Sequence, residues 1–101
     1  MIDTNTEKSI VSDRIIDQIA SKYALVETID TCGTRCPIPL LRAKKALKAL
    51  STDDYLLVLA TDPSAKGDFD AMLRHLTHTL VEYQSVQGDA RVDYFVIQKG
   101  E

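Results

Sequence analysis

The sequence predicts an α/β fold: a two-layer sandwich of β-α-β-α-β-β order. A mixed four-stranded sheet carries two helices on one face, and an N-terminal helical extension precedes it. Three observations lead there. Strand-like runs alternate with stretches of helical periodicity from residue 24 onward, which favours parallel strand pairs. The last two strand-like runs are joined only by Gly88-Asp89-Ala90-Arg91, short enough for an antiparallel hairpin. Two helices cannot cover both faces of four strands well, so both are expected on one face.

Residues 1–8 are polar. From Ser9 to Tyr23, the apolar residues Val11, Ile15, Ile16, Ile19 and Tyr23 fall near helical spacing, with Asp13, Arg14, Asp17 and Lys22 between them. This predicts a short amphipathic helix. Residues 1–23 are therefore read as an extension, helical from about position 9, and residues 24–101 as the main domain. The extension is expected to pack on its own domain or on a second copy, so self-association through it stays open, with a partner-docking element or a loosely held arm as the alternatives.

Ala24 to Asp30 alternates as a first strand, and Thr31-Cys32-Gly33-Thr34-Arg35 is a loop. Cys36-Pro37-Ile38-Pro39 then opens a helix to about Leu50, with Leu40, Ala43, Leu47 and Leu50 on one stripe. Proline is tolerated in a first helical turn, where its missing N–H has no helical partner. Pro37 disfavours helical angles at the preceding residue, which predicts Cys36 as the N-cap. Gly33 permits the tight backbone that turns strand into helix.

Ser51-Thr52-Asp53-Asp54 is a turn, and Tyr55 to Ala60 is a continuous apolar run, as in an inner strand. Asp62 is expected to cap the next helix, with Pro63 as its first residue. Gly67 makes the first turn irregular, so regular helix is expected only near Asp68. Phe69, Met72, Leu73, Leu76 and Leu80 supply its apolar stripe. Val81 to Gln87 and Val92 to Lys99 alternate as the third and fourth strands.

The 101 residues fit one domain of roughly 100–150 residues and leave no room for a separate cofactor domain. A hydrophobic fraction of 45% and a charged fraction of 27% exclude a disordered chain. No apolar run approaches the roughly 18–20 residues needed to cross a bilayer, so membrane insertion is not expected. The first eight residues lack a basic start and an apolar core, which argues against secretion and for a cytoplasmic location. Two cysteines do not make a disulfide scaffold. A net charge of −3 argues against non-specific nucleic-acid binding.

That net charge conceals a local reversal. From Thr31 to Thr52 the chain carries Arg35, Arg42, Lys44, Lys45 and Lys48 and no acid. A thiol at a helix N-terminus and near cations can fall from a pKa of about 8.5 to roughly 3.5–7.5. Cys36 is thus a candidate nucleophile, rather than the small buried hydrophobe that a cysteine more often is. The basic residues offer a face for an acidic partner or a phosphate backbone, or are the solvated side of an amphipathic helix.

Ile29-Asp30-x-x-Gly33-x-x-Cys36-Pro37-x-Pro39 resembles the signature of the TusA/SirA family of small sulfur-carrier proteins. Leu57-Val58-Leu59-Ala60-Thr61-Asp62-Pro63 resembles the family's second strand and the Asp-Pro turn after it, and Phe95 to Gly100 looks like its closing strand. The likeness spans about residues 25–100. It implies a β-α-β-α-β-β sandwich in which Cys36 carries sulfane sulfur as a persulfide, and Asp62 falls on a family position. The implied partners are a cysteine desulfurase or other sulfurtransferase as donor and a protein as acceptor. Nucleic acid is then met only indirectly, for example through 2-thiouridine synthesis in tRNA. No metal, flavin or nucleotide cofactor is needed, because each step is thiol exchange.

Two features depart from the family pattern. Cys32 is not part of the signature; a disulfide with Cys36, a resolving role and a passive role all stay open. The N-terminal extension is longer than expected before the first strand. His75 and His78 stand three apart on the second predicted helix, but spacing supplies no third ligand for a metal. Tyr55, Tyr83 and Tyr94 are expected to be packing residues. Besides the sulfur carrier, a thiol redox or regulatory protein using Cys32 and Cys36 and a non-enzymatic protein-binding module remain alternatives.

Overall fold

The computed structural model describes residues 10–35, 37–88 and 91–101. In chain order the elements are α1 (Ile10–Lys22), β1 (Leu25–Asp30), α2 (Ile38–Ala49), β2 (Tyr55–Ala60), α3 (Ala65–Leu73), β3 (Thr79–Val86) and β4 (Val92–Gln98). The sheet order is β1-β2-β4-β3. β1 pairs parallel with β2, and β4 pairs antiparallel with both β2 and β3. The alternation and the short last connection predict this mixed sheet. β2 and β4 lie in the middle, so both faces of residues 56–60 and 92–97 are covered. Such strands need apolar residues at successive positions rather than at alternate ones.

α2 and α3 pack on one face. Ala43, Leu47, Ala65 and Phe69 close over Ile29, Leu56, Val58, Phe95 and Ile97. Phe69 stacks on Phe95 with ring centroids 4.6 Å apart, and Tyr83 meets the same ring at 5.1 Å. α1 covers the opposite face, where Val11, Ile15 and Ile19 pack on Leu57, Leu59, Val92, Tyr94 and Val96. Burying each such aliphatic side chain contributes roughly 1.5–3 kcal/mol, so three of them seat α1 firmly on its own sheet. The extension adds a layer to the two-layer sandwich.

The far end of α1 is pinned by one carboxylate. Glu82 on β3 accepts from Lys22 Nζ at 2.8 Å, from the Tyr23 hydroxyl at 2.9 Å, and from the Tyr94 hydroxyl. These three donors hold the Glu82 carboxyl below its usual range, Lys22 contributing most. Tyr94 is therefore more than a packing residue.

Both main helices start differently from expectation. The residue capping α2 is Pro37, not Cys36, and Ile38 is the first helical residue. Leu41 N donates to Pro37 O at 3.0 Å, so the helical ladder reaches back to the proline. Pro39 does lie in the first turn, where it is buried. α3 starts at Ala65 with Ser64 as its cap, ahead of Gly67, and Pro63 precedes the helix. Asp62 instead accepts from the backbone N–H and the hydroxyl of Ser64, both at 2.9 Å, forming a turn that feeds the helix. α3 also ends early. The chain leaves the helix after Leu73, so Leu76 is exposed and Leu80 belongs to β3. His75 and His78 fall between these elements and not on a helix.

Candidate functional site

β1 and β2 are adjacent and parallel, so their carboxyl ends lie side by side and the loops leaving them meet. Open α/β sheets place binding sites at this edge. Three hydrogen bonds weld the loops together. Thr31 is buried, and both its backbone N–H and its hydroxyl donate to Leu59 O, at 2.9 and 2.6 Å. Gly33 N donates to Thr61 Oγ1 at 2.8 Å. Within the first loop, Thr34 donates from its hydroxyl to Thr31 O at 2.6 Å and from its backbone N–H at 3.1 Å. Gly33 takes φ +85°, the left-handed region that glycine enters without strain. Ile38 N then donates to Arg35 O at 2.9 Å, which ends the loop at the start of α2.

The loops bound an open pocket of about 540 Å³ lined by Gly33, Thr34, Arg35, Thr61, Asp62, Pro63 and Ser64. Cys36 lies outside the described residues. Its chain neighbours Arg35 and Pro37 are both exposed, and Arg35 lines the pocket. Gly33, Arg35 and Asp62, singled out separately in the sequence, are thus brought to one wall. Thr31 and Thr61 escaped the sequence reading. The available signal was a threonine directly following each of two strand-like runs, where a hydroxyl can satisfy backbone groups that the sheet leaves free.

The basic residues do not form one patch. Arg42, Lys44, Lys45 and Lys48 are all exposed, but α2 sends them to two sides. Arg42 and Lys45 line a groove of about 370 Å³ beside Glu27 and Ile29 of β1, and Arg42 Nη1 donates to Asp30 O at 3.1 Å. Lys44 and Lys48 line a separate slot of about 240 Å³ with Leu47, Leu76, His78 and Lys99. There Lys99 Nζ donates to Leu47 O, a cation meeting the negative end of α2. His78 Nδ1 accepts from Gly100 N at 2.9 Å. Desolvation and the nearby Lys99 charge lower the His78 pKa. Ile38 and Leu41, 44% and 60% exposed, leave apolar side chains uncovered in the first turn of α2.

Cys32 belongs to a different environment. Its backbone N–H donates to Asp30 Oδ1 at 2.9 Å, and its side chain turns toward α1. There Cys32 Sγ and Ser12 Oγ are 3.7 Å apart. Cys32 is a free thiol. Burial, and then the neighbouring Asp30 carboxylate, push its pKa up to about 12. Among the described residues no cluster of three His, Cys, Asp or Glu side chains could hold a metal ion. Nor is any helix among them long and apolar enough to cross a membrane.

A family model described as sulfurtransferase TusA matches residues 27–99. The sulfur carrier protein TusA of Allochromatium vinosum is 40% identical over 73 residues, spanning 72% of this chain and 92% of its own length. A protein of Neisseria meningitidis serogroup A, provisionally named as a sulfur carrier, is 48% identical over 62 residues, 61% of this chain and 84% of that one. The crystal structure of a SirA-like protein from Desulfitobacterium hafniense superposes with a TM-score of 0.59 at 28% identity, covering 75% of this chain and all of that one.

Proposed function

The chain belongs to the TusA sulfurtransferase family, and on that premise we propose that it is a sulfur-relay carrier whose Cys36 holds sulfane sulfur as a persulfide. The Cys36 thiolate attacks the terminal sulfur of a donor persulfide, on a cysteine desulfurase or another sulfurtransferase. A new sulfur–sulfur bond forms at Cys36 and the donor thiolate leaves. An acceptor protein thiolate then attacks the terminal sulfur, and the Cys36 thiolate departs in turn. Both steps favour an accessible cysteine of lowered pKa, which attacks as a thiolate and leaves readily.

The observation that carries this reading is the position of residue 36. It follows the welded Thr31–Arg35 loop, directly precedes the Pro37 cap of α2, and lies in a stretch with five basic residues and no acid. Gly33 and Pro39 shape that helix start from either side. The pocket holding Arg35 and Asp62 is the proposed seat for the partner loop that brings or receives sulfur. Arg42, Lys44, Lys45 and Lys48 steer acidic partner surfaces toward it. Thiolation of tRNA is one outlet for the acceptor. A redox pair of Cys32 and Cys36 is the poorer reading, because burial and Asp30 keep Cys32 protonated at neutral pH.

The test is loading by a cysteine desulfurase and cysteine, followed by intact mass. A gain of one sulfur atom that is reversed by reductant and abolished in Cys36→Ser supports the proposal. No gain, or a gain that survives Cys36→Ser, overturns it.

A further inference from the structure

α1 lies outside the segment that the family model matches, and a quarter of this chain has no counterpart in the SirA-like structure. Its packing reaches the reactive loop. Ser12, in the first turn of α1, is 1% exposed, and its hydroxyl meets the Cys32 thiol at 3.7 Å across 20 residues of sequence. Cys32 packs at the edge of the cluster that Val11, Ile15 and Ile19 form with the sheet. The second thiol of this protein therefore faces the added helix, four positions before the cysteine assigned to sulfur transfer.

We propose that α1 insulates Cys32 from the persulfide chemistry of Cys36, so that a chain with two neighbouring cysteines transfers sulfur through one. The proposal rests on the carrier reading for its consequence, though not for its test. An exposed Cys32 would return to an ordinary thiol pKa of about 8.5, and the roughly few per cent present as thiolate at neutral pH could attack Cys36 Sγ of the persulfide. A Cys32–Cys36 disulfide would form, the bond to the terminal sulfur would break, and hydrosulfide would leave. The sulfane sulfur is the oxidant in that step and is reduced, so no other reagent enters. Sulfur would be lost instead of delivered. Packing of the half-buried thiol against α1 keeps it from the persulfide, and desolvation with the Asp30 carboxylate raises its pKa by more than the Ser12 hydroxyl lowers it, which suppresses this discharge.

Two full-length variants loosen α1 to different degrees. Ile15→Ala/Ile19→Ala removes buried contacts, and Glu82→Gln weakens the anchor at Lys22 and Tyr23. In a Cys36→Ser background, alkylation of Cys32 by iodoacetamide should be at least about tenfold slower in the folded protein than in the urea-unfolded chain. The rate should rise in Glu82→Gln and rise further in the double variant, each shown to be folded by circular dichroism. Alkylation of the native protein at the unfolded rate, or rates that do not move in either variant, overturns the insulation. If the double variant does not fold, Glu82→Gln decides. A second arm keeps both cysteines and loads Cys36 with inorganic polysulfide, which needs no protein donor. Trypsin cleavage between Arg35 and Cys36 puts the two cysteines on separate peptides, so a disulfide between them is seen directly. Sulfide release and this disulfide should appear in the loosened variants and not in the parent. Equal release from the parent overturns the proposal. Failure of desulfurase loading would instead count against the carrier reading and leave the alkylation result standing.

Discussion

The Gly33 amide donates to Thr61 Oγ1 at 2.8 Å, and this bond ties together two loops that are 28 residues apart in sequence. One loop leads to Cys36 and the other to Asp62. The pocket between them keeps its shape only while the loops stay in register. Thr61→Val preserves the side-chain shape and removes the acceptor. A hydrogen bond of this kind contributes about 0.5–1.5 kcal/mol, so urea unfolding should show a loss in that range. The sulfur-loading rate from a desulfurase should fall by more than that stability change explains, because the loop before Cys36 loses one of the three bonds that hold it. Unchanged loading kinetics would show that the tether does not shape the site.

Gly33 itself makes a second prediction. Its φ of +85° suits glycine, yet a Cβ built there meets nothing within 4 Å. The penalty for Gly33→Ala is therefore conformational and not steric, about 1–2 kcal/mol. The same substitution at Gly100 has a different cause, since a Cβ there collides with the Thr77 backbone. Chemical denaturation of both variants separates the two. Gly33→Ala should lower stability modestly and slow sulfur loading, whereas Gly100→Ala should lower stability and spare the loading rate of the folded fraction.

Glu82 gives the stability a pH dependence. Lys22, Tyr94 and Tyr23 donate to its carboxylate and hold its folded pKa below the unfolded value. The contribution is therefore present above the unfolded pKa and is lost as pH falls through the folded one. Glu82 is 17% exposed and Lys22 56%, so solvent screens the ion pair and the effect is modest. Glu82→Gln should be less stable than the parent at about pH 7, and the gap should close toward about pH 3. A gap of the same size at both pH values would mean that packing, and not the carboxylate charge, anchors α1.

Cys32→Ser should load sulfur as the parent does. Burial and the Asp30 carboxylate hold the Cys32 thiol protonated at neutral pH, so it is a poor nucleophile. The introduced hydroxyl can still pair with Ser12 Oγ in the variant, so the packing survives. A loading yield cut to less than half, read by intact mass, would assign Cys32 a direct part in transfer.

Much of this was legible in the sequence. Helix and strand periodicities marked every element, because each helix presents a stripe to the sheet and β2 presents an unbroken apolar run. The end of α3 was not legible. Leu76 and Leu80 continue the spacing of Phe69, Met72 and Leu73, although the chain has already turned toward β3. Periodicity reports which residues are apolar and not where the backbone stops being helical. The cap of α2 lies one residue later than the rule for the residue before Pro37 predicts, since Pro39 is also accommodated in a first turn and a helix starting at Ile38 is equally allowed. The direction of Cys32 was beyond reach, because it depends on Ser12 in a helix docked from the other side of the sheet.

The split of the basic residues leads to the last prediction. Arg42 and Lys45 face the β1 groove, whereas Lys44 and Lys48 face the slot beside Lys99. A carrier must meet a donor and an acceptor in turn with the same cysteine, and two separate cationic flanks allow two orientations of approach. Arg42→Glu/Lys45→Glu and Lys44→Glu/Lys48→Glu should therefore affect the two partners unequally. For the partner that uses a given flank, charge reversal should cut the association rate by about tenfold or more at low salt. The difference should shrink at about 1 M salt, where the screening length drops to about 3 Å. Stopped-flow association with a desulfurase and with an acceptor protein, at both salt concentrations, reads this directly. Equal slowing of both partners by both variants would indicate one diffuse positive field around α2, and no slowing by either would leave these residues a purely solvating role.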